Sequence, residues 1–293
     1  DAPDDVIIAA TAEVGSAAAM VVADMGNVRL GEPTFTTGLR GAVEAYVSIR
    51  TLKAPAHSGM FGGPAPDAEV GGLWAGATTI AGEPYEMIGI VTEDGRGYFV
   101  SEMNVAHVVY WGTVTSSGNG VTFALDGAGV LGWRFPDGSA GGAGSISGSI
   151  KPRASISADL NFTTALGTRT TGAVSLDYVP DYADDSSLAL IAGNYTDTFW
   201  LFGGMFNIAS NGELFYQDPF DGCVINGRFA IIDAAYNAYD IEYSYSNCPA
   251  MPVWNGATFR GLAAYDADFG EIIVIANGLL EGEPSGQVFV LKR

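Results

Sequence analysis

The stretch Asp266-Ala267-Asp268-Phe269-Gly270-Glu271 comes nearest to a chemical motif in this sequence. Oxygens at alternate positions, then a glycine bend, match part of a calcium loop, where carboxylates converge on a hard cation. The third ligand and the distal bidentate glutamate are missing, and acids in a hairpin turn read the same way. Asp266, Asp268 and Glu271 stand as a partial calcium candidate. Other chemistry is scarce. His57 lies in a Pro/Gly-rich stretch and His107 at the start of a strand, neither with a second histidine or a cysteine nearby to complete a zinc set. His-Glu-x-x-His, Cys-x-x-Cys, Gly-x-Ser-x-Gly and Walker-type loops are all missing. A serine triad would need distant partners. Asp181, Asp184 and Asp185 cluster, but in a connector. The sequence therefore predicts a non-enzymatic protein with no catalytic residue, cofactor or resident metal.

Cys223 and Cys248 flank a predicted hairpin whose turn lies at 233–237. Pairing about that turn sets opposite each other residues whose numbers sum to 471, and these two do so. A cross-strand disulfide fits, and it implies an oxidising compartment. The alternative is two buried free thiols. Asp1-Ala2-Pro3-Asp4-Asp5 reads as a start left after cleavage of a signal peptide. The expected location is extracellular or at the cell surface, with the periplasm as alternative.

Composition narrows the rest. Thirty-three acids against thirteen bases give a net charge of −20. That disfavours nucleic acid, which is held by Lys and Arg, and anionic membrane surfaces equally. Forty glycines and 16% charged residues suit an all-β chain with many turns. Its longest apolar run, near 272–276, has strand length, so no membrane insertion is expected.

Those strands repeat. Gly72-Leu73-Trp74-Ala75-Gly76, followed by Ile90-Val91-Thr92-Glu93-Asp94-Gly95-Arg96-Gly97-Tyr98-Phe99, is echoed by Gly193-Asn194-Tyr195-Thr196-Asp197 and Ile208-Ala209-Ser210-Asn211-Gly212-Glu213-Leu214-Phe215-Tyr216. An offset of 117 residues, from Gly95 to Gly212, means two duplicated domains. We expect an all-β protein of two tandem eight-stranded antiparallel barrels, over 70–178 and 188–293, preceded by a strand-rich arm and linker over 1–60. Gly138 to Gly144 reads as a flexible loop.

The Gly-Leu-Trp-x-Gly and Glu-Asp-Gly-Arg-x-Tyr-Phe pattern, with Asp221-Gly222-Cys223 and Asn247-Cys248 later, resembles bacterial secreted or envelope proteins of uncharacterised function with lipocalin-like barrels. The resemblance covers roughly 70–293 and implies barrels and an envelope location, not an activity. It leaves out the first 60 residues, and no lipobox cysteine lies near residue 1.

Trp74, Trp111, Trp133, Trp200 and Trp254 fill a barrel core or line a ligand surface; Trp74 and Trp111 are the candidates. Tyr239, Tyr243 and Tyr245 share parity and so one face, either an exposed recognition stripe or the inner face of a barrel. The apolar arm, with Val6, Ile7, Ile8 and Val14, suits strand addition to a neighbour. The expected function is a self-assembling surface or fibre subunit, partnered with itself through that arm. The alternative is a barrel binding a small ligand or glycan.

Overall fold

Alternation of apolar and polar residues shapes the strands. Ser155–Thr164 turns every second side chain inward, the period a half-buried strand requires. The computed structural model describes residues 70–103, 106–199, 204–220 and 222–293. The arm residues Val6, Ile7, Ile8 and Val14, with His57 and Trp200, lie outside the described residues.

Eight strands form the first barrel: β1 Gly72–Ile80, β2 Glu83–Val91, β3 Arg96–Met103, β4 Ala106–Ser117, β5 Gly120–Gly129, β6 Gly141–Lys151, β7 Ser155–Thr164 and β8 Arg169–Val179. Each pairs antiparallel with the next, and β8 returns to β1 through Leu73↔Val179 to Ile80↔Gly172. The second barrel is built likewise from β9 Gly193–Asp197, β10 Met205–Ile208, β11 Glu213–Gln217, β12 Val224–Ile231, β13 Tyr239–Ser246, β14 Thr258–Asp266, β15 Glu271–Leu280 and β16 Glu283–Lys292. It closes where Leu291 and Lys292 meet Asp197 and Thr196. Closure pairs strand edges that an open sheet would leave bare. A 3-10 turn, Pro180–Ala183, and one helical turn, Leu188–Ile191, join the barrels.

The sequence echo falls on equivalent positions. Gly95 turns β2 into β3 and Gly212 turns β10 into β11, at φ of +83° and +86°. Their carbonyls accept from Val114 and Phe229, both at 2.7 Å.

Two local expectations are corrected. Gly141, Gly142 and Gly144 are not in a loop but in β6. A Cβ on Gly144 would sit 2.1 Å from the Asn161 carbonyl oxygen, so glycine lets the neighbouring backbone close in. The β12–β13 ladder pairs residues summing to 470, as in Val224↔Ser246. Asn247, at φ +53°, adds one residue beyond the ladder and brings Cys248 opposite Cys223.

Three apolar cores result. Trp74, Phe99, Tyr110, Phe123 and Phe162 fill the first barrel. Tyr216, Phe229, Tyr243, Phe259 and Phe289 fill the second. A third core lies outside both, between them: Leu73, Ile88, Ile90 and Val109 from the first, Leu262, Ile273, Ile275 and Val288 from the second. On β15, Ile272, Val274 and Ala276 point into the barrel while Ile273 and Ile275 point at the neighbour. A strand covered on both faces reads as an unbroken apolar run, the pattern of 272–276.

Polar contacts frame this wall. Arg96 is paired with Asp240 near one end. Arg134 is paired with Glu283 near the other, where the Gly132 N–H also donates to the Ser285 hydroxyl at 3.0 Å. The barrels thus stand side by side with their ends aligned. The disulfide and the β15–β16 hairpin share an end with the β5–β6 and β7–β8 loops, here the disulfide end. The 3-10 connector, the β2–β3 and β12–β13 turns and Val70 share the other, the connector end.

Candidate functional site

The residues singled out by type scatter through this frame. Trp74 is fully buried inside the first barrel. Tyr239, Tyr243 and Tyr245 are inside the second, so their shared face is the inner one. Tyr243 stacks on Phe259 at 5.5 Å, and Gln287 donates its amide to the Tyr245 hydroxyl. Burial pushes the Tyr239 phenol up to about 12, and those of Tyr243 and Tyr245 well above their ordinary value. Trp111 points outward on β4 and packs against the wall between the barrels.

Cys223 and Cys248 are joined in a disulfide with Cα atoms 4.0 Å apart. Asp266 is a turn residue, its Oδ1 accepting the N–H groups of Asp268 and Phe269 at 2.9 and 3.1 Å. Glu271 accepts from Lys292 Nζ at 2.7 Å. Asp266 shapes the β14–β15 turn through one carboxylate oxygen, and Glu271 pairs with Lys292 of β16. Among the described residues no group of acids, histidines and cysteines is arranged to hold a metal.

What the residue types did not single out is one end of the molecule. Trp133, Leu166, Met205, Phe220, Met251, Val253 and Leu279 are exposed apolar side chains, and Phe220 reaches 88% exposure. All lie at or toward the disulfide end: in the β5–β6 loop, the β7–β8 turn, the first residue of β10, the β11–β12 and β13–β14 loops and the end of β15. Among the described residues Phe215, midway along β11, and Ile231, at the connector end, are the large apolar side chains exposed elsewhere. Single exposed apolar residues are ordinary; a contiguous apolar patch is what marks an interaction surface in general.

Local chemistry holds these loops in shape. The disulfide staples the β11–β12 loop, bearing Phe220, to the β13–β14 loop, bearing Met251 and Val253. Asn247 Nδ2 donates to the Gly222 carbonyl at 2.8 Å, and Asn255 Oδ1 accepts from the Cys248 N–H at 2.8 Å. In the first barrel, Asp137 accepts from the Thr164 hydroxyl and from the Ser139 N–H. Those bonds, the Thr164 hydroxyl foremost, hold its carboxyl well below the usual carboxylate range.

Between these loops the first barrel opens into a cavity of about 190 Å³, walled by Ile80, Val108, Phe135 and Pro136 with Thr164 and Thr170. Thr78, two residues from Ile80 on the same inward face, has a buried hydroxyl with no hydrogen-bond partner. Below this level the barrel is filled by Tyr110 and Phe162, ring centroids 5.4 Å apart, so the space is a shallow mouth over a packed core. Turn signals hid these residues from sequence reasoning. The usable clue was large apolar side chains inside Gly/Pro/Asp turns, as in Asp218-Pro219-Phe220-Asp221-Gly222.

No family model matches the chain, and no solved structure does. A stretch of 62 residues is 45% identical to part of a cysteinylglycine-S-conjugate dipeptidase of Corynebacterium striatum. It amounts to 21% of this chain and 14% of that enzyme, fewer residues than the first barrel contains. The chain thus spans a small fraction of the relative it matches.

Proposed function

We propose that this protein is a non-enzymatic, extracellular subunit that assembles with copies of itself, end to end, by strand exchange of its N-terminal arm, residues 1–60. One observation carries the reading. The exposed apolar side chains gather at the disulfide end, and the 69 preceding residues lead off from Val70 at the connector end. Stacking two copies head to tail sets the arm of one against the apolar surface of the next. The arm's Val6, Ile7, Ile8 and Val14 supply matching apolar side chains. A contact between unlike surfaces does not close on itself and generates a filament. The disulfide agrees with an oxidising compartment outside the cytoplasm. The packed barrel cores suit a rigid building unit.

Electron microscopy and sedimentation test this. The full chain should form filaments. Deleting residues 1–25, or introducing Leu166→Ser with Phe220→Ser, should leave monomers of unchanged far-UV circular dichroism. A full chain that stays monomeric at every concentration, or a deletion variant that assembles normally, refutes the reading.

The mouth of the first barrel favours a second reading, as a binding module for a small, mostly apolar molecule with a polar edge against Thr164, Thr168 and Thr170. Native mass spectrometry of the purified monomer would reveal such a molecule as an added mass, lost in a Val108→Trp variant that fills the space.

A further inference from the structure

The mouth of the first barrel opens at the disulfide end, and two of the exposed apolar side chains stand on its rim. Leu166 sits in the β7–β8 turn between the lining residues Thr164 and Thr168. Trp133 directly precedes the lining residues Arg134 and Phe135. Leu166 is 69% exposed and Trp133 43%.

The charges at this rim are already used. Arg134 is paired with Glu283 and donates to the Gly138 carbonyl at 3.0 Å. Asp137 accepts from the Thr164 hydroxyl and the Ser139 N–H. What the mouth offers an occupant is apolar wall: Ile80, Val108, Phe135 and Pro136. An apolar cavity of about 150 Å³ takes a benzene, so about 190 Å³ takes one branched side chain with room for part of its backbone. Tyr110 and Phe162 close the space off below. Small molecules favour pockets that cover most of their surface, and in so shallow a mouth one would stay partly in water. A side chain carried on a polypeptide brings its own cover.

Within this chain, Val6-Ile7-Ile8 has that chemistry, three branched apolar side chains in a row. An added strand is selected by pockets that take its alternate side chains. On a strand Ile7 projects to one face between Asp5 and Ala9, which suits a space for a single side chain. Reach is ample. From Val70 back to Ile8 the chain can span about 200 Å, against about 40 Å for the 12 residues of β4. Length alone would let the arm return to its own barrel. Such a route runs along outward faces that are polar, with Ser157 and Asp159 on β7, Ser175 and Asp177 on β8, and Glu242 and Ser246 on β13. An apolar arm gains nothing there. In a head-to-tail stack the connector end, where the arm leaves, abuts the next copy's disulfide end directly.

We infer that the mouth of the first barrel is the socket for Ile7 from the arm of a second copy of this chain. The inference rests on the end-to-end assembly proposed above and names its contact.

The test uses the full chain carrying Ile7→Cys with Thr168→Cys, oxidised during assembly and separated under denaturing conditions without reductant. A ladder of dimers and longer species is expected. Ile7→Cys with Ser157→Cys, on the outside of β7, should give nothing beyond the dimers of Ile7→Cys alone. Thr170→Trp, which fills the mouth from its rim, and Ile7→Ser should each raise the concentration needed for filaments about tenfold or more. The cysteine pair adds no bulk, so it decides the matter should Thr170→Trp disturb the barrel. Filaments that give no ladder and are indifferent to Thr170→Trp overturn the socket and leave end-to-end assembly standing. A crosslink confined to monomers overturns it too, since the arm would then fill its own mouth. So does a small molecule that co-purifies with the chain and is displaced by Thr170→Trp. A chain that assembles at no concentration ends both readings.

Discussion

Tyr98 of the first barrel donates its hydroxyl to the Asn277 side-chain oxygen of the second at 2.8 Å. The residues are 179 positions apart, and the bond sits in an otherwise apolar wall. A buried polar group without a partner costs more than a made bond gains. The pair therefore fixes how the two barrels face each other more than it adds to stability. Around it, each Leu or Ile removed from water contributes about 2 kcal/mol. The docked faces thus form a core in their own right.

The first prediction concerns that wall. Ile275 is fully buried and points out of its own barrel. Ile275→Asp should cost about 3 kcal/mol or more, since an unpaired charge is driven into an apolar site. Calorimetry of the wild type should show both barrels unfolding in one transition. The variant should split it in two. A single transition at the wild-type temperature would mean the wall couples nothing.

A second prediction concerns pH. His107, at the start of β4, meets the Phe199 ring at 5.7 Å, and burial pushes its imidazole down to about 4 from 6.5. The fold keeps it neutral, while the unfolded chain protonates it near 6.5. Its contribution is therefore whole above pH 6.5 and is lost as pH falls toward 4, by up to about 3 kcal/mol. Between pH 7 and pH 4 the melting temperature of the wild type should fall further than that of His107→Phe, so the gap between the two curves changes in that direction. Parallel curves would contradict the assignment. Comparing the two proteins removes the acid dependence of the carboxylates, Asp137 among them.

Third, the disulfide closes a loop of 25 residues. Chain-entropy reasoning gives it about 3 kcal/mol. Cys223→Ser with Cys248→Ser should lower the unfolding temperature by several degrees. Because Phe220, Met251 and Val253 ride on the stapled loops, the same variant should also weaken end-to-end assembly. Sedimentation of the oxidised and reduced wild type reads this without any substitution. Identical melting in both redox states would place the stapled loops outside the stable unit.

The architecture was legible because closure leaves a regular trace. Alternating residues marked the strands, and the Asp94-Gly95 and Asn211-Gly212 turns marked equivalent positions of the two barrels. The cysteines were matched correctly on a ladder whose register was off by one, since Asn247 in a left-handed conformation cannot be read from spacing. Glycine richness misled at Gly141 to Gly144, where the missing side chains serve close strand contact and not flexibility. The unbroken run at 272–276 held the clue to the docked wall. Its length was noticed as a strand, but a run apolar at every position also says that both faces are covered. The barrel mouth was invisible for a different reason. It collects side chains from loops far apart in the chain, and single-chain periodicity carries no such pairing.

The doubly covered strands have a practical consequence for anyone wishing to cut this polypeptide into its two halves. Separated, each would present a broad greasy flank to water where its twin had been, and purified fragments should clump. Replacing Leu73, Ile88, Ile273 and Ile275 by polar residues would be the first requirement for handling either half alone. The two barrels share one apolar wall and are not beads on a string.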